Sequence, residues 1–300
     1  MKALVLSAGG SFGAYQVGAW LALRERGWQP DLIVAASVGA VNGLAISRGA
    51  TEEDLLTLWR ELPRDVYRGA EDMLRPGGRR VPLRKRAALF RVWVRRIFDR
   101  WAARPWQRDL LVTMTELPSC AVLAVPGSEL TCQHLLASCA VPTVMPPIKI
   151  AGRLYVDGGT FCPLPLRQAI TAGATEIVAV DLLAEPPCRA IRWARVAGAS
   201  VRNALRREPT EPTPGELSRV RLCRVHAPRP LGSLDDCFTW EPKRADSLIE
   251  LGYRHAHSAL PAAWGLEPAA SSTAMPVPAD VPVPANQTGS ASGQRRQVAS

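Results

Sequence analysis

The sequence predicts an α/β fold built on a mostly parallel central sheet. Short, almost wholly apolar runs recur along the chain (ALVLS at 3–7, DLIVAA at 31–36, EIVAVD at 176–181), as expected of strands buried on both faces. Between the first two lies a segment with apolar residues at helical spacing, AYQVGAWLALRER at 14–26, closed by Gly27. Strand, helix, strand and helix at this pace form βαβ units, which require a parallel sheet.

The first strand covers 3–7 and the first helix 14–26. The second strand covers 31–36 and a second helix 38–48. A third helix is expected over 51–62, with Thr51 as N-cap and Glu52, Glu53 and Asp54 in its first turn. Residues 64–108 are rich in Arg and contain a helical pattern at 86–101. Residues 110–115 and 119–125 read as strands and 129–139 as a short helix, with Pro142, Pro146 and Pro147 marking a loop behind it. Residues 148–156 read as a hairpin around Ala151-Gly152 that ends at Asp157-Gly158-Gly159. Further helices are expected over 164–172, 190–207 and 243–260, and a last strand over 219–226. A domain is expected to span 1–265. Residues 266–300 are Ala, Pro, Ser, Val and Gly without periodicity; they cannot bury enough apolar surface to offset their ordering entropy and are expected to be disordered.

The 300 residues are 47% hydrophobic and 21% charged, ordinary values for a globular protein, with a formal net charge of +10. Most of that charge lies within 64–108. The seven cysteines are odd in number, irregularly spaced and without a Cys-x-x-Cys pair, which argues against a disulfide framework and against a zinc site. No apolar run approaches the roughly 20 residues of a membrane-spanning helix, and Ser7-Ala8-Gly9-Gly10 breaks the first apolar run too early for a signal peptide. A cytoplasmic location is expected, with docking on a membrane from outside it as the further expectation.

Three clusters carry chemistry. Ala8-Gly9-Gly10-Ser11-Phe12-Gly13 lies between the first strand and first helix, where backbone N–H groups can hold a negatively charged oxygen. A dinucleotide site would want an acid at the end of the second strand; that strand ends Ala35-Ala36-Ser37, and Asp31 lies at its other end. Ala35-Ala36-Ser37-Val38-Gly39 has the setting of a nucleophile elbow, a Ser between small residues on a strand-to-helix turn. Asp157 enters the glycine turn Gly158-Gly159, and a carboxylate within hydrogen-bond reach can take a serine's proton directly. Each cluster also has an ordinary reading: a tight βα turn, a helix N-cap and an Asp-Gly turn. A Ser-His-Asp triad fits poorly. One βα unit precedes the elbow, and His134, His226, His255 and His257 lie in no recognisable catalytic loop; His226, closing a strand, is the best candidate among them.

Taken together, AGGSFGAYQVG, AASVGAVNG and ASCAVPTVMPPIKIAGRLYVDGG resemble the bacterial type of the patatin-like phospholipase family, over roughly residues 1–260. The resemblance implies a three-layer α/β/α fold and a Ser37–Asp157 dyad without histidine. It further implies oxyanion donors at Gly9, Gly10 and Ser11, with Gly13, Gly39, Gly158 and Gly159 as supporting glycines. It implies no cofactor and no metal. The substrates it implies are acyl esters of glycerolipids and lysophospholipids. Ala8 and Ala35 depart from the family's glycines, and Phe12 stands where many members carry Arg or Lys.

Within 86–101 (RAALFRVWVRRIFDRW), Phe90, Trp93, Val94, Ile97 and Trp101 form one stripe, and Arg91, Arg95, Arg96 and Arg100 lie away from it. That pattern suits either an anionic membrane interface, as a lid or anchor, or a core-packing helix with a solvated basic face. No nucleic-acid motif accompanies the charge, so a nucleic-acid partner is not expected. The sequence leaves the oligomeric state open. A lipid acyl hydrolase is the leading reading. A catalytically weak lipid- or membrane-binding member of the same fold is the alternative, and thioesterase or simple carboxylesterase activity would suit the same dyad.

Overall fold

Eight strands form one sheet in the computed structural model, which describes residues 1–60, 83–142, 144–188 and 209–260 with single positions 200, 204 and 264. They are β1 (Lys2–Leu6), β2 (Leu32–Ala36), β3 (Asp109–Leu117), β4 (Val122–Pro126), β5 (Ile148–Ile150), β6 (Arg153–Asp157), β7 (Glu176–Val180) and β8 (Arg221–Val225). Pairing follows the order β5-β6-β3-β2-β1-β7-β8, with β4 also on β3. The pairs among β1, β2, β3, β7 and β8 are parallel, whereas β4, β5 and β6 run antiparallel to their neighbours.

Side-chain alternation divides each central strand between two cores, which is why these strands are apolar throughout rather than at every second residue. Leu4, Leu6, Ile33, Ala35, Val178 and Val180 face the larger core, and Ala3, Val5, Leu32, Val34, Ile177 and Ala179 the smaller one. The larger core is roofed by α1 (Ala14–Glu25), α2 (Val38–Ser47), α3 (Glu52–Arg60), α4 (Leu83–Ala102), α5 (Cys132–Ser138) and α9 (Pro242–Ala259). On the other face, α6 (Leu166–Thr171) packs with Leu164, giving the three layers. Two further short helices are α7 (Pro214–Leu217) and α8 (Leu234–Cys237). α1 and α9 cross closely: a Cβ on Gly18 would lie 1.8 Å from the Ile249 carbonyl oxygen, and one on Gly252 2.0 Å from that of Tyr15.

α4 buries Trp93, Val94, Ile97 and Trp101 in the larger core, and leaves Arg91, Val92, Arg95, Arg96 and Arg100 exposed. These four residues of the apolar stripe thus face the protein's own interior. Of the two readings of 86–101, core packing accounts for these four side chains, and the face left to solvent is basic. The helix expected over 190–207, the stretch 64–82 and the tail 266–300 lie outside the described residues, apart from positions 200 and 204. Among the described residues no helix is long and apolar enough to cross a membrane.

Candidate active site

Register along β3 sets the site. β4 pairs with Leu111–Thr115, so β2, against Asp109–Thr113, and β6, against Met114–Leu117, share the opposite edge end to end. Ala36 pairs with Thr113 and Asp157 with Met114, positions one residue, roughly 3.4 Å, apart along the strand. The last residues of two strands more than a hundred positions apart in sequence therefore converge, and Ser37 leaves the sheet where Asp157 arrives. Thr115 helps hold that arrival, donating from Oγ1 to the Asp157 carbonyl at 3.2 Å.

Ser37 stands before α2 with φ 56° and ψ −126°, a conformation that a residue with a Cβ adopts only when its surroundings impose it. Its N–H donates to Ser138 Oγ at 3.0 Å, and its carbonyl accepts from Ala40 N at 2.8 Å. The Ser37 side chain makes no capping bond to α2, so helix capping does not account for it. The turn fits because Gly39 has no side chain; a Cβ there would lie 2.5 Å from the Leu6 carbonyl oxygen. The methyl of Ala35 packs over Gly43, where a Cβ would come within 3.2 Å of it. Ser37 is 6% exposed and Asp157 3%.

Asp157 Oδ1 accepts from Gly159 N at 2.6 Å, the ordinary Asp-Gly turn contact. Oδ2 is different: it is buried and completes no hydrogen bond. The Ser37 hydroxyl lies against this carboxyl as a hydrogen-bonding neighbour and lowers its pKa. Burial is the larger effect and pushes the carboxyl up from its ordinary 3.8 to about 7, against the lowering by Ser37 and Gly159 N–H. A buried carboxylate against a serine hydroxyl can accept that hydroxyl's proton.

The glycine loop lies on the other side of Ser37. Leu6 pairs with Ala35, so the chain leaves β1 level with the elbow. Gly10–Gly13 form a single 3-10 turn, whose first N–H groups have no partner within it. Gly10 has φ +56°, and a Cβ there would lie 2.2 Å from the Cys237 carbonyl oxygen. The Ser11 hydroxyl donates to the Asp236 carbonyl, so of its polar groups the N–H is the one not held by that contact. A Cβ on Gly159 would come 2.2 Å from that of Ala8, so the methyl of Ala8 fills space that Gly159 leaves. Gly13 faces Val38 and Trp59, and Gly158 the Thr113 carbonyl, each too close for a side chain.

Behind the loop runs a buried polar chain that sequence inspection missed. Gln16 Nε2 donates to the Ser7 carbonyl at 2.8 Å. Asn42 Nδ2 donates to the Gly13 carbonyl at 2.9 Å and to Gln16 Oε1 at 3.0 Å, and Trp59 Nε1 donates to Asn42 Oδ1 at 2.8 Å. Its signal was available: two amides, at 16 and 42, inside otherwise apolar helices. Phe12 is fully buried, with the Arg244 guanidinium 5.8 Å from its ring centroid. A cation thus lies over the ring of Phe12, the residue at which the resemblance led to an expected Arg or Lys. The four histidines have other partners: His134 caps α5 with Thr131, His226 meets the Ala227 carbonyl, His255 bonds Tyr15 and His257 stacks on Tyr253. Among the described residues no cluster of three or more His, Cys, Asp or Glu could hold a metal.

The model of the patatin-like phospholipase family matches residues 4–123 and 126–170. An uncharacterized NTE family protein of Mycobacterium tuberculosis is 29% identical over 188 residues, 60% of this chain and 48% of its own length. Patatin-like phospholipase domain-containing protein 7 of Rattus norvegicus is 27% identical over 186 residues, 60% of this chain and 13% of its own. The chain thus spans about half the length, or less, of these curated relatives. Among solved structures, VipD from Legionella pneumophila superposes with a TM-score of 0.44 at 13% identity, covering 86% of this chain and 66% of that one.

Proposed function

Because this chain belongs to the patatin-like phospholipase family, we propose that it is a serine acyl hydrolase acting on ester bonds of phospholipids, lysophospholipids or related acyl lipids. The observation that carries the reading is the buried Asp157 carboxyl against the Ser37 hydroxyl on its strained turn. Asp157 takes the proton from Ser37 Oγ as the oxygen attacks the ester carbonyl carbon. The negative charge that forms on the carbonyl oxygen is held by N–H groups of Gly9, Gly10 and Ser11. Collapse breaks the ester C–O bond, and the leaving alcohol receives the proton from Asp157. Water then attacks the acyl-serine, giving its proton to Asp157, and the fatty acid leaves as Ser37 Oγ is reprotonated. A base with a pKa near 7 suits this exchange, since it both accepts and returns a proton near neutral pH.

The exposed arginines of α4 support a second part of the reading, peripheral contact with anionic membrane. With Trp93, Val94, Ile97 and Trp101 buried, this contact is electrostatic and therefore salt-sensitive. Sedimentation with anionic vesicles at low salt, lost with neutral vesicles or at high salt, is expected; equal sedimentation with both lipids contradicts it. For the chemistry, Ser37→Ala is expected to abolish p-nitrophenyl butyrate hydrolysis while leaving the thermal transition intact. Undiminished hydrolysis by that variant excludes the dyad.

A further inference from the structure

The peptide joining Gly9 to Gly10 is flanked by two residues without a Cβ, so no side chain of its own resists rotation of its plane. In a trans peptide the C=O and N–H point to opposite sides. Whatever holds the Gly9 carbonyl therefore also aims the Gly10 N–H. That carbonyl has two partners, the Phe12 N–H at 3.2 Å and, from the far end of the sequence, the Cys237 thiol at 3.2 Å. Other contacts bring the same segment onto the loop. The Cys237 carbonyl lies against Gly10, and the Asp236 carbonyl accepts from the Ser11 hydroxyl. The segment is itself tied down: Ser233 caps α8 through Asp236 N, and Arg244 bonds the Asp236 carboxylate and the Leu231 carbonyl from above Phe12.

We propose that Cys237 is a positioning residue for the reaction: its S–H holds the Gly9 carbonyl and so keeps the Gly10 N–H turned toward the oxyanion. This rests on the hydrolase reading of Ser37 and the glycine loop. The thiol suits the task because it stays protonated. Burial first, and then the charge of Asp157, push its pKa up to about 12, so it donates throughout the working pH range. Cys237 does not touch substrate or Ser37 in this role. Its effect is confined to the transition state, where the oxyanion exists and the ground-state carbonyl does not.

The test compares the full-length wild type with Cys237→Ala, Cys237→Ser and Ser37→Ala, measuring kcat and KM on p-nitrophenyl butyrate and on the matching thionoester. Removing an oxyanion donor outright costs about 100-fold or more in kcat. Here the N–H remains and loses only its anchor, so Cys237→Ala is expected to lower kcat by about tenfold with KM little changed. Because sulfur accepts hydrogen bonds poorly, the thionoester rate should fall less, narrowing the oxoester-to-thionoester ratio. Cys237→Ser, which keeps a donor, should recover most of the loss. If Cys237→Ala does not fold, Cys237→Val fills the volume without a donor and carries the same expectation. An unchanged kcat, or equal losses on both esters with no rescue by Ser, overturns the role of Cys237 while leaving Ser37 in place. Full activity of Ser37→Ala overturns the hydrolase reading and this inference with it.

Discussion

Replacing Asp157 by Asn removes a charge from a position where burial holds the carboxyl near pH 7. Between pH 3.8 and about 7 the folded protein keeps this proton and the unfolded chain has lost it. Wild-type stability attributable to this group therefore falls as pH rises through that window and levels off above about 7. At about 1.4 kcal/mol per pH unit, the full window amounts to about 4 kcal/mol, an upper figure for the cost of keeping the base ionised. Asn preserves much of the geometry: its oxygen can still accept from Gly159 N, and its amide takes the volume of Oδ2 without its charge. Asp157→Asn should thus be inactive yet more stable than wild type, by about 2–4 kcal/mol at pH 8.5, falling to about 1 kcal/mol or less at pH 4.5. Urea unfolding followed by tryptophan fluorescence at the two pH values measures this difference. A variant that is less stable at pH 8.5, or equally stabilised at both pH values, refutes burial of the Asp157 charge as the source.

A base with the pKa of Asp157 must be ionised to act, so wild-type kcat/KM should fall as pH drops below about 7; a flat profile from pH 5 to 8 counts against Asp157 as base. Ser138→Ala takes away the acceptor of the buried Ser37 N–H and should cost about 1–3 kcal/mol of stability together with a fall in kcat, whereas unchanged melting and kinetics would mean the elbow holds without it. Phe12→Arg should destabilise by about 3 kcal/mol or more and not raise activity, since it places a charge at a fully buried position close to the Arg244 guanidinium. Thermal melting of that variant decides the point, and a gain in both stability and rate would overturn it.

The central strands were legible because burial on both faces writes itself as an unbroken apolar run. Ala151-Gly152 was legible as a hairpin turn, and both residues adopt positive φ there. α7 and α8 escaped because four residues are too few to show a helical period, although each opens with a capping box, Thr213 with Glu216 and Ser233 with Asp236. The pattern of 86–101 described two environments equally well; the side chains of α4 meet the protein's core, and no local signal separates that from a lipid surface. Ser37 and Asp157 could be named from their turns, but the meeting of β2 and β6 on one edge of β3 is a property of register that neither segment encodes alone. The same holds for Cys237, which reaches the glycine loop across the chain. Ala8 and Ala35 looked like weaknesses in isolation. Their methyl groups fit because Gly159 and Gly43 lie opposite them.

The most direct test of the account is covalent labelling with a fluorophosphonate ester, read by peptide mass spectrometry on wild type, Ser37→Ala and Asp157→Asn at pH 8. The account predicts a single adduct on the peptide containing Ser37, its absence from Ser37→Ala, and a strongly slowed adduct in Asp157→Asn, whose fold is intact. An adduct on another residue in an active protein, or equal labelling of wild type and Asp157→Asn, would contradict it.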